Sequence, residues 1–155
     1  MRPSILAAAL AGCALLASPL ALAQDYVTNS ADIVKAAKWD QMETINIELS
    51  EHDFDPKHLK LKANKPYRLV LKNTGEADHY YTAVDFFKSV AWRKVMTPRP
   101  QGGEIKAPYF SAVEVFKKTG VVELYFVTVK TGKFEVVCTI DDHKDKGMLG
   151  SITVE

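Results

Sequence analysis

The chain has 155 residues, with 20 Lys and Arg against 19 Asp and Glu and a formal net charge of +1. Such a balance offers no basic face for nucleic acid, and the length suits one compact domain with its own core. Two cysteines, Cys13 and Cys138, are too few for a disulfide framework.

The first segment is apolar. Residues 3–23 carry no charge; Arg2 precedes them, and Ala21-Leu22-Ala23 ends the run before Gln24-Asp25. This is the pattern of an export signal cleaved after a small residue, so residues 1–23 are set apart as a signal peptide and the rest is expected in the periplasm. A retained membrane anchor is the bland alternative, because the run is nearly long enough to span a bilayer. A lipoprotein signal is another, because Leu10-Ala11-Gly12-Cys13 is similar to a lipobox. The small-residue ending and the lack of a stop-transfer charge cluster favour cleavage after Ala23 and no stable membrane insertion of the mature domain. Arg2 is the single charge removed, so residues 24–155 are formally neutral. Cys138 is then alone in an oxidising compartment, either an inert buried thiol or a metal ligand.

Residues 24–42 read as an N-terminal extension. Within it the spacing of Ile33, Ala36 and Ala37 predicts a short amphipathic helix over Ser30–Trp39, with Ser30 as N-cap. From residue 43 onward, short strands are predicted. Ile45–Leu49, Val113–Val115, Val122–Phe126 and Ile152–Val154 alternate apolar and polar residues, the period of a half-buried strand, and Tyr67–Leu71 is a further strand. Turn signals separate them: Asp55-Pro56, Asn64-Lys65-Pro66, Asn73-Thr74-Gly75, Lys118-Thr119-Gly120 and Thr131-Gly132. Their close recurrence predicts an all-β sandwich over residues 43–155. Residues 85–103 interrupt the pattern and are expected to form a helical insertion between strands, ended by Pro98, Pro100 and Gly102-Gly103. Its aromatics, Phe86, Phe87 and Trp92, are expected to cover the core, with a partner-binding surface as the functional alternative.

The chemistry gathers near the C-terminus. Cys138, His143 and Met148 follow one another at equal short intervals. Thiolate, imidazole and thioether suit copper together: the thiolate is soft, imidazole binds both oxidation states, and the thioether is a weak axial donor. Zinc is less suited, since structural zinc prefers more thiolates and no thioether. A second histidine should come from the end of a different strand, where a rigid sheet can hold it in place. His79, beyond the strand Tyr67–Leu71 and the turn Asn73-Thr74-Gly75, answers that need. His52 and His58 flank Phe54-Asp55-Pro56 among charged residues and are expected to be solvated, with a weak surface site there as the alternative.

Several stretches resemble the cupredoxins, the small blue-copper proteins. They are Phe54-Asp55-Pro56, Leu61–Lys65, Leu69–Asn73, His79, Gly132–Cys138 and Gly147–Val154, in which Asn64 stands where the family often has Gly. The resemblance implies a Greek-key β-sandwich with one type 1 copper held by His79, Cys138, His143 and Met148. It also implies a monomeric one-electron carrier, without enzymatic activity, meeting redox partner proteins such as a c-type cytochrome through the edge of His143. The alternative is a copper-resistance protein that sequesters or oxidises copper and meets other copper-handling proteins. Charged residues beside His143 (Asp141, Asp142, Lys144, Asp145, Lys146) depart from the uncharged surroundings usual in carriers. Asp141, Asp142, Asp145 and Asp78 are candidates for tuning the metal, though a solvated charged loop is the simpler expectation. Against resistance, no Met-rich or His-rich tract is present. A multicopper enzyme would need further domains and His-x-His pairs, and a metal-free adhesive sandwich would leave the Cys/His/Met run as coincidence.

Overall fold

The computed structural model describes residues 25–98, 100 and 102–155. The signal-peptide, cleavage and lipobox assignments fall on residues 1–23 and lie outside the described residues. The element order is α1 (Ser30–Ala36), a 3-10 turn (Trp39–Gln41), β1 (Glu43–Ser50), β2 (Asp53–Asp55), β3 (His58–Leu61), β4 (Pro66–Asn73), β5 (His79–Thr82), α2 (Val84–Ser89), β6 (Val90–Met96), β7 (Glu104–Ile105), β8 (Ala112–Val115), β9 (Val121–Thr128), β10 (Gly132–Val137) and β11 (Leu149–Val154). No helix among the described residues is long and apolar enough to cross a membrane.

The strands form two sheets, ordered β2-β1-β4-β9-β6-β7 and β3-β11-β10-β5-β8. β1 runs parallel to β4, and β3 parallel to β11. Parallel neighbours cannot be joined by hairpins, so the chain must cross between the sheets, as in a Greek-key sandwich. The alternation seen in sequence now has its cause: Ile47 and Leu49 of β1, Leu69 and Leu71 of β4, and Leu124 and Phe126 of β9 point into one interior with Leu59, Leu61, Val136, Ile152 and Val154 from the other sheet.

α1 lies on the outer face of the first sheet. Ile33, Val34 and Ala37 pack on Val27, Ala91 and Val127, a small cluster separate from the main core. The helix starts at Ser30 itself, so its cap lies one residue earlier than predicted. Asn29 takes the cap position without a side-chain cap bond, and the Ser30 hydroxyl instead donates to the Val27 carbonyl at 2.9 Å.

Residues 85–103 require a correction. Only Val84–Ser89 is helical, and Val90–Met96 is a sheet strand paired to β9 with a register shift between Trp92 and Lys94. That irregularity breaks the period-two pattern, which is why the strand reads as mixed helical spacing in sequence. Phe86 and Phe87 are fully buried and Trp92 nearly so; Phe86 meets Phe126 edge-on at 5.3 Å and Phe134 at 5.6 Å. These aromatics close the core and offer no partner surface.

The connections beyond β1, β4, β8 and β10 meet at one end of the sandwich. Thr74 N–H donates to Leu49 O at 2.9 Å, Asn73 N–H to Gly120 O at 2.9 Å and Lys118 N–H to Gly75 O at 2.9 Å. Asn73, fully buried, donates from Nδ2 to Ala77 O at 2.9 Å and Val115 O at 2.8 Å, while its Oδ1 accepts from Gly75 N–H at 2.9 Å. At the opposite turn Asn64 has φ 59°, the left-handed conformation its side chain tolerates.

Phe86→Ala is expected to lower unfolding stability by about 3–5 kcal/mol, the usual cost of deleting a buried aromatic, read as a lower urea midpoint at unchanged slope. Deleting residues 85–103 removes β6 and should leave no cooperative unfolding transition at all.

Candidate metal centre

Two strand ends and one loop build the site. His79 opens β5, opposite Val115 of β8. The Asn73 side chain bonds both Val115 and Ala77, so the turn leading into His79 is clamped to the strand beside it. Cys138 directly follows β10 and Met148 directly precedes β11. The register between those strands, ending at Val137↔Leu149, continues through a bond from Cys138 N–H to Met148 O at 3.2 Å. Residues facing each other across an antiparallel pair share a face, and Cys138 and Met148 both turn inward to zero exposure.

His143 sits on the loop between them. Its N–H donates to Ile140 O at 3.0 Å and its carbonyl accepts from Met148 N–H at 3.0 Å, while Lys146 N–H returns to Asp142 O at 3.0 Å. Gly147, at φ 98°, turns the chain back into β11 in a conformation that favours glycine. The result is a tight, self-bonded loop that directs one imidazole inward; His143 is 8% exposed.

Cys138 Sγ lies 3.4 Å from His143 Nδ1 and 3.9 Å from His79 Nδ1, and the three donor atoms fall within 4.8 Å of one another. A metal bonded to nitrogen at about 2.0 Å and to thiolate sulfur at about 2.3 Å holds such donors about 3.7 Å apart at a trigonal angle. The observed separations bracket that value. With Met148 on the same face, the donor chemistry is soft sulfur plus two imidazoles, which suits one copper ion better than zinc.

The electrostatics agree. Burial, with repulsion from His143 as the second cause, pushes the His79 imidazole below its usual 6.5, so its nitrogens stay free of the extra proton that would bar a metal. His79 Nε2 is buried with no hydrogen-bond partner among the described residues.

The acidic residues do other work. Asp78 accepts from Lys117 N–H at 2.7 Å. Asp142 pairs with Lys146 at 3.0 Å, which holds its carboxyl below the usual range. Asp141 and Asp145 are exposed. The loop is a solvated charged surface. His58 is also exposed, bonded through Nδ1 to the Ser151 hydroxyl at 3.0 Å. His52 differs from the expectation: it is half-buried and its ring stands edge-on to His143, with centroids 5.0 Å apart. Sequence reasoning missed Asn73, whose one signal was its place in an Asn-Thr-Gly turn, and gave His52 as a solvated residue with a weak surface site as the alternative.

No curated protein sequence matches the chain significantly, but solved structures share its fold. A multicopper oxidase from Campylobacter jejuni superposes with a TM-score of 0.52 at 17% identity, over 72% of this chain and 30% of that one. The copper nitrite reductase from Nitrosomonas europaea gives 0.55 at 14% identity, over 82% and 52%, and auracyanin B gives 0.50 at 20% identity, over 73% and 88%. The chain therefore spans under a third of the oxidase and about half of the reductase, and at such identities the likeness is one of fold. The sequence model of the cupredoxin-like domain matches residues 7–154, which takes in His79, Cys138, His143 and Met148, and on that match the chain belongs to the cupredoxin-like domain family.

Proposed function

We propose that the protein is a periplasmic one-electron carrier with a single type 1 copper site formed by His79, Cys138, His143 and Met148. The observation that carries this is the placement of Cys138 Sγ, at zero exposure, between two imidazole Nδ1 atoms at 3.4 and 3.9 Å. Copper bound there supplies a one-electron couple between Cu(I) and Cu(II). Cys138 and Met148, fixed by paired strands, and His79, fixed by the Asn73 clamp, keep the same positions in both states, so little rearrangement opposes the transfer. The self-bonded 139–147 loop keeps His143 aimed inward, and burial excludes solvent from the sulfur.

Copper resistance is the second function to weigh, because the residues around His143 are charged and exposed rather than an apolar docking patch. An oxidase or nitrite reductase role has less support, since the described residues hold a single His/Cys cluster. The partner we expect is a c-type cytochrome or, under the second function, a copper-handling protein, met by a monomer.

Cu(II) added to the purified protein should produce an intense thiolate-to-copper visible band, and Cys138→Ser should abolish it; a colourless wild type overturns the assignment. Fast reduction by a c-type cytochrome then supports the carrier, whereas copper sensitivity of a deletion strain with intact respiration supports resistance.

Acid stability provides a further test. The unfolded chain binds a proton on residue 79 near 6.5 while the fold resists it until lower pH, so stability is full above about 6.5 and falls as pH drops through the lowered folded value. The metal-free protein should therefore melt at lower temperature at about pH 5 than at about pH 7. The loss should be shallower in His79→Gln, as read by calorimetry.

A further inference from the structure

His52 lies outside the four-residue set, yet the fold delivers it to the site. Ser50↔Asp53 pairing closes the β1–β2 hairpin over Glu51 and His52. His52 adopts φ 63°, a left-handed conformation uncommon for histidine. The Glu51 carboxylate accepts the N–H of Glu76, which ties this hairpin to the turn before His79. Two anchors thus hold a strained turn at the metal end of the sandwich.

The three imidazoles form a row. His79 and His143 have ring centroids 5.1 Å apart, and His143 and His52 5.0 Å apart. The spacing of the outer pair is close to that of the pair proposed to share copper. Exposure rises along the row, from 0% at His79 to 8% at His143 to the half-buried His52. His52 Nδ1 is itself buried and has no hydrogen-bond partner among the described residues. A buried imidazole nitrogen without a partner is costly, and an incoming soft cation would relieve that cost.

We propose that His52 and His143 form an entry station that takes up Cu(I) before Cys138 and His79 receive it. This rests on the copper assignment above. His52 binds first because it is the outermost nitrogen donor of the row, and His143 belongs to both stations, so the ion is passed by ligand exchange without full release. The metal stays Cu(I) throughout; the thiol of Cys138 releases its proton to solvent as its sulfur binds. His52 is absent from the final donor set, in agreement with the cluster of His79, Cys138 and His143 alone.

The test follows uptake from the Cu(I) bicinchoninate complex by stopped-flow absorbance. His52→Asn tolerates the left-handed backbone and removes the imidazole; His52→Phe keeps a ring against His143 and removes only the donor nitrogens. Both should load roughly tenfold more slowly, the lower end of what losing a supporting group at a metal site costs, and reach the same final occupancy and absorption spectrum. Loading of His52→Phe at the wild-type rate would reduce His52 to a packing group and overturn the proposal, as would faster loading in either variant. A second arm adds the same Cu(I) complex to Cys138→Ser and follows imidazole nitrogen resonances. Joint shifts of His52 and His143 support the station; shifts confined to His79 and His143 refute it. If wild type takes up no copper at the end point the functional assignment fails, whereas a rate difference, or its absence, at equal end points judges the entry station alone.

Discussion

The pairing register between β10 and β11 is the constraint on which the rest depends. Pairs from Gly132↔Val154 to Val137↔Leu149, extended by the bond from Cys138 to Met148, decide which way two sulfur-bearing side chains point. Side chains alternate along a strand, so a slip of one residue would turn Cys138 to solvent and bring Val137 inward. The apolar face of β10 resists that slip because it would turn Val136, at 1% exposure, out of the core. The hydrophobic core therefore sets the orientation of the thiol, and the loop between the strands needs only to return an imidazole to it.

Holding polar donors in an apolar interior is unfavourable in itself. An unpaired buried polar atom costs about 1–3 kcal/mol, and His79 Nε2 and His52 Nδ1 are both in that position. Fully burying one Leu, Ile or Phe contributes about 1.5–3 kcal/mol, and Leu49, Leu69, Leu71, Phe86 and Phe126 each reach 0% exposure. A few such residues offset the cost of the centre. Asn73 shows the complementary solution, since its amide is buried with all its bonds made, and the turn it stabilises delivers His79. The site is thus held by strands on one side and a clamped turn on the other.

The chain departs from sequence expectation where local pattern and tertiary role conflict. Val90–Met96 reads as an insertion because a bulge at Arg93 disrupts alternation, yet it pairs along β9 in the first sheet. His52 reads as solvated because charged Glu51 and Asp53 flank it, yet the hairpin turns those two outward and the imidazole toward His143. Both errors have one cause: a window of neighbours carries no information about a partner 27 or more residues away along the chain.

By itself the sequence determined the β-class of residues 43–155, the strands whose alternation is regular, and the identity of the donors, because thiolate, imidazole and thioether chemistry belongs to residue types and survives any fold. It also marked Cys138, His143 and Met148 as near neighbours, since short separations along the chain limit separations in space. Only the tertiary structure decided that His79, 59 positions before Cys138, faces the same sulfur, that Asn73 holds its turn, that residues 90–96 are sheet, and that His52 completes a row of three imidazoles. Those outcomes follow from cross-strand register and from the closing of loops at one end of a sandwich, and such long-range pairings are selected by burial of the whole core rather than by any local run of residues.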